Sequence, residues 1–170
     1  MTRYTIALAL LAAGVLSACS DGGTSRADTA STATAAPAAA AATPAVALPA
    51  MTVYKSPTCG CCHEWVKHVE ANGFTVKSVD QPDVTPVKRE HGVTEALSSC
   101  HTALVGGYVI EGHVPAGDVR RLLAERPAGV RGLAAPGMPS GSPGLEGGPK
   151  EPFDVIAFDS SGATRVYASH

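Results

Sequence analysis

The chain has 170 residues, with 13 Lys and Arg against 15 Asp and Glu and a formal charge of −2. Its basic residues are scattered, with no Lys/Arg stripe among aromatic side chains, so it lacks the electrostatic footprint of a nucleic-acid binder and no nucleic-acid partner is expected. Five cysteines are present, and three of them stand in "CGCC" at 59 to 62, which makes sulfur chemistry the main question.

At the N-terminus, Arg3 precedes the apolar run "TIALALLAAGVL", too short to cross a bilayer, which ends in "LSAC" at 16 to 19. That ending resembles the lipobox of bacterial lipoprotein signal peptides, where cleavage precedes the cysteine and its thiol is lipidated. The resemblance implies that residues 1–19 are a signal segment and that Cys19 is a lipid anchor, not a metal ligand. It places the protein in the periplasm on a membrane, and Ser20 after the cysteine favours the outer one. Residues 20–50 are nearly all Ala, Thr, Ser, Pro, Gly and Asp, and so hold too little apolar surface to offset their ordering entropy. They read as a tether with a coil span of about 30 Å.

Residues 51–170 suit one small domain. "MTVYKS" has strand composition and leads into Pro57 and the cysteine turn. Cys62, Trp65, Val66 and Val69 then fall on one helical face, and "NG" at 72 and 73 ends that helix. "FTVKSVD" reads as a second strand. In "DVTPVKREHG", Thr85 is the expected N-cap, Pro86 opens the helix and Gly92 stops it. "HTALV", "GG" and "YVIEGHV" form a hairpin signature. "PAGDVRRLLAERP" reads as a helix carrying Val119, Leu122 and Leu123 inward. The Gly/Pro-rich run at 127 to 150 reads as a long loop, either linker or lid. "FDVIAFD", "SSG" and "ATRVYAS" predict a terminal hairpin with Gly162 left-handed.

Two strands joined by a helix demand a parallel crossover, whereas the Gly-Gly hairpin is antiparallel. The order strand, helix, strand, helix, strand, strand, helix is thioredoxin-like: an α/β fold with a mixed sheet flanked by helices. In that architecture the active cysteines sit between the first strand and first helix, where "CGCC" falls.

Cys59 and Cys62 alone are a C-x-x-C pair, so a thiol–disulfide oxidoreductase is one reading; a helix N-terminus there favours thiolate. Cys61 between them is a liability for simple exchange, because it offers competing mixed disulfides. Cys100 lies before the "HTALV" strand, in the loop that faces the active cysteines in this architecture, and no proline stands there. The fold therefore predicts that Cys59, Cys61, Cys62 and Cys100 converge. Sulfur donors favour Cu(I) or zinc over calcium or magnesium. A structural zinc site draws on two separated pairs, whereas three sulfurs in four residues crowd one ion but can bridge several. Copper, as more than one ion, is the preferred cargo over a zinc-stabilised structural module.

"YKSPTCGCCHEW", "SCHTALVGGYVIEGHVPAGDVRRLL" and "GLAAPGMPSGSPG" together resemble the CopG-like family of periplasmic copper-resistance proteins, over about residues 51 to 146. The resemblance implies a thioredoxin-like fold and copper ligation by Cys59, Cys61, Cys62 and Cys100, with His113 and Met138 as secondary ligands. The family pattern often has Met after "GSPG"; this chain has Leu145 there. The expected function is periplasmic copper resistance by Cu(I) binding, with Cu(I)/Cu(II) interconversion open and a metal-binding protein favoured over an enzyme. Copper ions and other periplasmic copper-handling proteins are the expected partners.

The remaining candidates read as structural. His101 points to the opposite face if its strand has begun, although a hydrogen bond to the site is open to it. His63 reads as a solvated first-turn residue, His68, His91 and His170 as surface groups, and Trp65 as core.

Overall fold

The computed structural model describes residues 47–170. The expected signal segment, Cys19 and the expected tether up to residue 46 lie outside the described residues. Leu48, in the last residues expected to be tether, is partly buried against the core.

Strand β1 (Met51–Lys55) buries every second side chain, Met51, Val53 and Lys55, as a half-buried strand must. Helix α1 (Gly60–Ala71) buries Cys62, Trp65, Val66 and Val69, the i, i+3, i+4, i+7 face read from the sequence, and ends at Asn72 and Gly73. Strand β2 (Val76–Asp80) runs parallel to β1, as the crossover requires. Helix α2 (Thr85–Glu90) departs slightly from expectation. Thr85 is its first helical residue, not its cap; Asp83 Oδ1 instead accepts from the Thr85 amide at 2.8 Å. A single 3₁₀ turn, Glu95–Leu97, follows.

Strands β3 (Thr102–Val105) and β4 (Tyr108–Gly112) pair antiparallel across Gly106 and Gly107. Helix α3 (Ala116–Glu125) buries Val119 and Leu122, while Leu123 is only partly covered. Strand β5 (Gly132–Ala135) lies in the run expected to be all loop and pairs parallel with β4. The terminal hairpin is β6 (Asp154–Phe158) with β7 (Thr164–Ser169), and Gly162 has φ +88°.

The seven strands among the described residues form one mixed sheet in the order β2-β1-β3-β4-β5-β6-β7. Trp65, Val66 and Val69 of α1 and Val119 and Leu122 of α3 share one core cluster with Met51, Val53, Ala103, Ile110, Leu133 and Val155 of the sheet. A smaller cluster sets Val93 and Leu97 on Val109, Ala134 and Phe158. This is the mixed α/β architecture expected, consistent with a thioredoxin-like fold.

Candidate metal centre

Strand register brings the site together. Tyr54, near the end of β1, pairs with Thr102, the first residue of β3, so the cysteine turn after β1 and Cys100 before β3 share one end of the sheet. Thr102 pairs in turn with Glu111, which puts His113, just past β4, at the same end. Gly112 pairs with Ala135, so the loop leaving β5 starts there too. Four segments distant in sequence thus meet at a single edge.

Their donors are in contact. The sulfurs of Cys59, Cys61, Cys62 and Cys100 lie within 4.8 Å of one another, and Cys100, His101 and His113 form a second such group sharing Cys100. Cys61 Sγ is 3.5 Å from Cys59 Sγ and 3.9 Å from Cys100 Sγ. Cys59 caps α1, its sulfur accepting from the Cys62 amide at 3.3 Å. Cys59 and Cys62 are joined as a disulfide, with Cα atoms 5.3 Å apart, while Cys61 and Cys100 are free thiols.

His113 is fully buried, and its tautomer follows from its partners. Nδ1 is 2.7 Å from the Pro143 carbonyl, which can only accept, so Nδ1 carries the hydrogen. Nε2 is left with its lone pair facing Cys100 Sγ at 2.9 Å. Burial lowers the His113 pKa, against the Pro143 hydrogen bond and the charge of Glu146. Burial also pushes the Cys100 thiol up to about 11, with the neighbouring Cys61 adding to the rise. Without metal, Cys100 is therefore a neutral thiol at physiological pH and hydrogen-bonds to the His113 lone pair.

His101 keeps the alternation of β3, lying on the face of Ala103 and Val105 toward Trp65, and from there its ring still reaches the site. Its Nδ1 is 3.7 Å from Cys100 Sγ, and its ring packs 4.4 Å from Trp65 and edge-on to His113 at 5.1 Å. Complete burial, then the nearby His113 and Lys88, hold its pKa well below the usual range, and Nε2 has no hydrogen-bond partner among the described residues. Trp65 is core as expected, its indole donating to Val114 O at 2.9 Å.

The Gly/Pro-rich loop folds over this edge. Gly144 has φ +86°, and a Cβ there would sit 2.7 Å from Cys61 O and 2.9 Å from Trp65 N, so only glycine lets the loop approach so closely. Ser142 is buried and donates to Pro139 O at 2.7 Å. Leu145, at the family's methionine position, is half-buried. Met138 is 61% exposed. It follows Gly137, whose amide donates to Ser98 O at 3.0 Å, beside the Cys100 segment.

Two lysines that sequence reasoning passed over support the site. Lys55, 2% exposed, pairs with Asp80 at 2.6 Å and donates to His63 Nε2 at 2.9 Å. An ammonium only donates, so His63 Nδ1 carries the hydrogen and donates to Cys59 O at 2.8 Å. His63 is exposed as expected, yet it braces the cysteine turn. Lys88 and Glu111 form a buried ion pair beneath Cys100. Alternation with Met51 and Val53 was the signal for Lys55; Lys88 and Glu111 had none. His68, expected at the surface, is half-buried and accepts from the Ala116 amide at 3.1 Å. His91 is half-buried at the end of α2, and His170 pairs with Asp118 at 2.7 Å.

With the Cys59–Cys62 disulfide reduced, the donor set is soft: four sulfurs and an imidazole lone pair, with no carboxylate in either group. It suits copper or zinc and not a hard cation. Among families, one described as "Protein of unknown function, DUF411" matches residues 97–145. No curated protein matches the chain. Two solved structures do, titled forms 1 and 2 of "Copper resistance protein copG". Each is 41% identical to this chain, covering 72% of it and 98% of the solved chain, with a TM-score of 0.68.

Proposed function

Since the chain belongs to the CopG family of copper resistance proteins, we propose that it binds excess copper as Cu(I), as several ions bridged by cysteine sulfurs. The observation that carries this reading is the meeting of Cys100 with Cys59, Cys61 and Cys62 inside 4.8 Å. Copper is the cargo, held by the four cysteines as thiolates and by His113 Nε2. Pro143 keeps His113 in the ligating tautomer, a usual task for a partner behind a metal-binding histidine. Met138, exposed beside the Cys100 segment, supplies a thioether if the loop closes further.

The Cys59–Cys62 disulfide adds a redox side to the proposal. Two Cu(II) ions each take one electron from the reduced pair, giving two Cu(I), one disulfide and two protons. A dithiol reductant then restores the pair. With the disulfide closed, Cys61, Cys100 and His113 remain as donors, so capacity for Cu(I) falls. In this reading the protein works in the periplasm, tethered through lipidated Cys19, and passes copper to other copper-handling proteins there.

The same disulfide favours a second reading, thiol–disulfide exchange through Cys59 and Cys62 with no need of Cys100. Anaerobic Cu(I) titration with thiol counting, beside an insulin-reduction assay, separates the two. The copper reading predicts more than one Cu(I) per reduced chain and lower stoichiometry in Cys61→Ser and Cys100→Ser. Unchanged binding in both variants, with insulin reduction dependent on Cys59 and Cys62, would overturn it.

A further inference from the structure

Cys100 is the sulfur that turns a local motif into a cluster, yet residues 98–101 belong to no helix or strand. We infer that Glu111 is a positioning residue that fixes this sulfur through the main chain of Ser99. The Glu111 side chain is completely buried; its carboxylate accepts from the Ser99 amide at 2.7 Å, from Thr102 Oγ1 at 2.7 Å and from Lys88 Nζ. Lys88, 7% exposed, also donates to Thr102 Oγ1 at 3.2 Å. Ser99 is gripped from two further sides. Its hydroxyl donates to Gly137 O, and a Cβ at Gly112 would lie 2.4 Å from its side chain, so Gly112 must stay bare for Ser99 to sit there.

The choice of a charge pair at this place points to positioning. A buried ion pair adds little stability relative to well-packed apolar residues of the same volume. What it does provide is a directional acceptor for a main-chain amide that has no ladder partner. Ser99 is thereby locked one residue before Cys100, whose sulfur must reach both Cys61 at 3.9 Å and His113 at 2.9 Å. Metal sites tolerate misplacement of only a few tenths of an ångström, so a loose Ser99 costs Cys100 its role. The same grip holds Gly137, and with it the start of the loop that carries Met138.

The consequence for copper rests on the proposed function, whereas the positioning needs no metal. Two charge-free pairs in the full-length protein isolate the role of the acceptor. Lys88→Met with Glu111→Gln keeps an oxygen for the Ser99 amide; Lys88→Met with Glu111→Leu removes it. The Gln pair is expected to bind Cu(I) within about threefold of the unaltered protein, and the Leu pair about tenfold or more weaker, with an altered thiolate-to-copper absorption band. Adding Cys100→Ser costs affinity in the Gln pair and nothing more in the Leu pair. Equal affinity and equal spectra in the two pairs overturn the inference. Amide exchange in the unaltered, metal-free protein tests it independently of whether either pair folds or copper binds. Ser99 is expected to exchange as slowly as β3, and exchange at the rate of an open loop overturns the inference.

Discussion

At the scale of single residues, burial keeps Cys100 and His113 neutral, and their hydrogen bonds aim them at each other. Burial and the adjacent Cys61 push Cys100 up to about 11 from an ordinary 9.0, so metal entry must displace its proton. In metal-free protein with the Cys59–Cys62 disulfide closed, the alkylation rate of Cys100 is expected to climb about tenfold per pH unit beyond pH 9, levelling only near 11. A plateau already reached at pH 9, read by mass spectrometry of the Cys100 peptide, contradicts that environment. Gly144 matters for a steric reason. A methyl group there meets Cys61 O and Trp65 N, which lifts the loop and takes Pro143 O away from His113 Nδ1. Gly144→Ala is therefore expected to speed the loss of Cu(I) to a competing chelator by about tenfold, the usual cost of losing a partner behind a ligating histidine.

Among elements, the helices were more legible than the strands around the loop. Helix α3 starts at Ala116 after Pro115, which offers no side-chain cap; His68 on α1 accepts the Ala116 amide instead. Burial lowers the His68 pKa, with Arg120 acting in the same direction and Glu146 opposing. The unfolded chain therefore takes up this proton first. His68 contributes stability above pH 6.5 that is lost as pH falls below it. The stability gap between the metal-free protein and His68→Gln, measured by urea unfolding, should shrink from pH 7.5 to pH 5; a constant gap contradicts the assignment. The spacing of Cys62, Trp65, Val66 and Val69 was enough to read α1, and the Gly-Gly step was enough to read the hairpin. Strand β5 was hidden because its residues, Gly132, Leu133, Ala134 and Ala135, are mostly small, poor strand formers. They are fully buried, and a Cβ on Gly132 would strike Val109 O at 2.1 Å, so close packing selected them over propensity. Thr85 was misread as a cap because the helix already includes it: Val84 is the cap residue, and Asp83 Oδ1 accepts from the Thr85 amide.

For the molecule as a whole, the site is a product of topology. The antiparallel pairing of β1 with β3 and of β3 with β4 carries Cys100 and His113 to the cysteine turn. Element order made the convergence of the four cysteines legible, because it fixes which loops share an edge of the sheet. The Lys88–Glu111 pair was not legible, since it depends on which side chains interior packing leaves facing each other. His101 was read only in part: alternation gave its face, but its packing between Trp65 and His113 depends on how the helix and the β4 end meet there. The most direct test of the account is X-ray absorption at the copper edge of the Cu(I)-loaded, reduced protein beside its Cys100→Ser variant. A sulfur-dominated shell with copper–copper scattering, losing both sulfur and copper neighbours in the variant, is the expected result. A shell identical in the two proteins would mean that the distant cysteine takes no part, and would contradict the account.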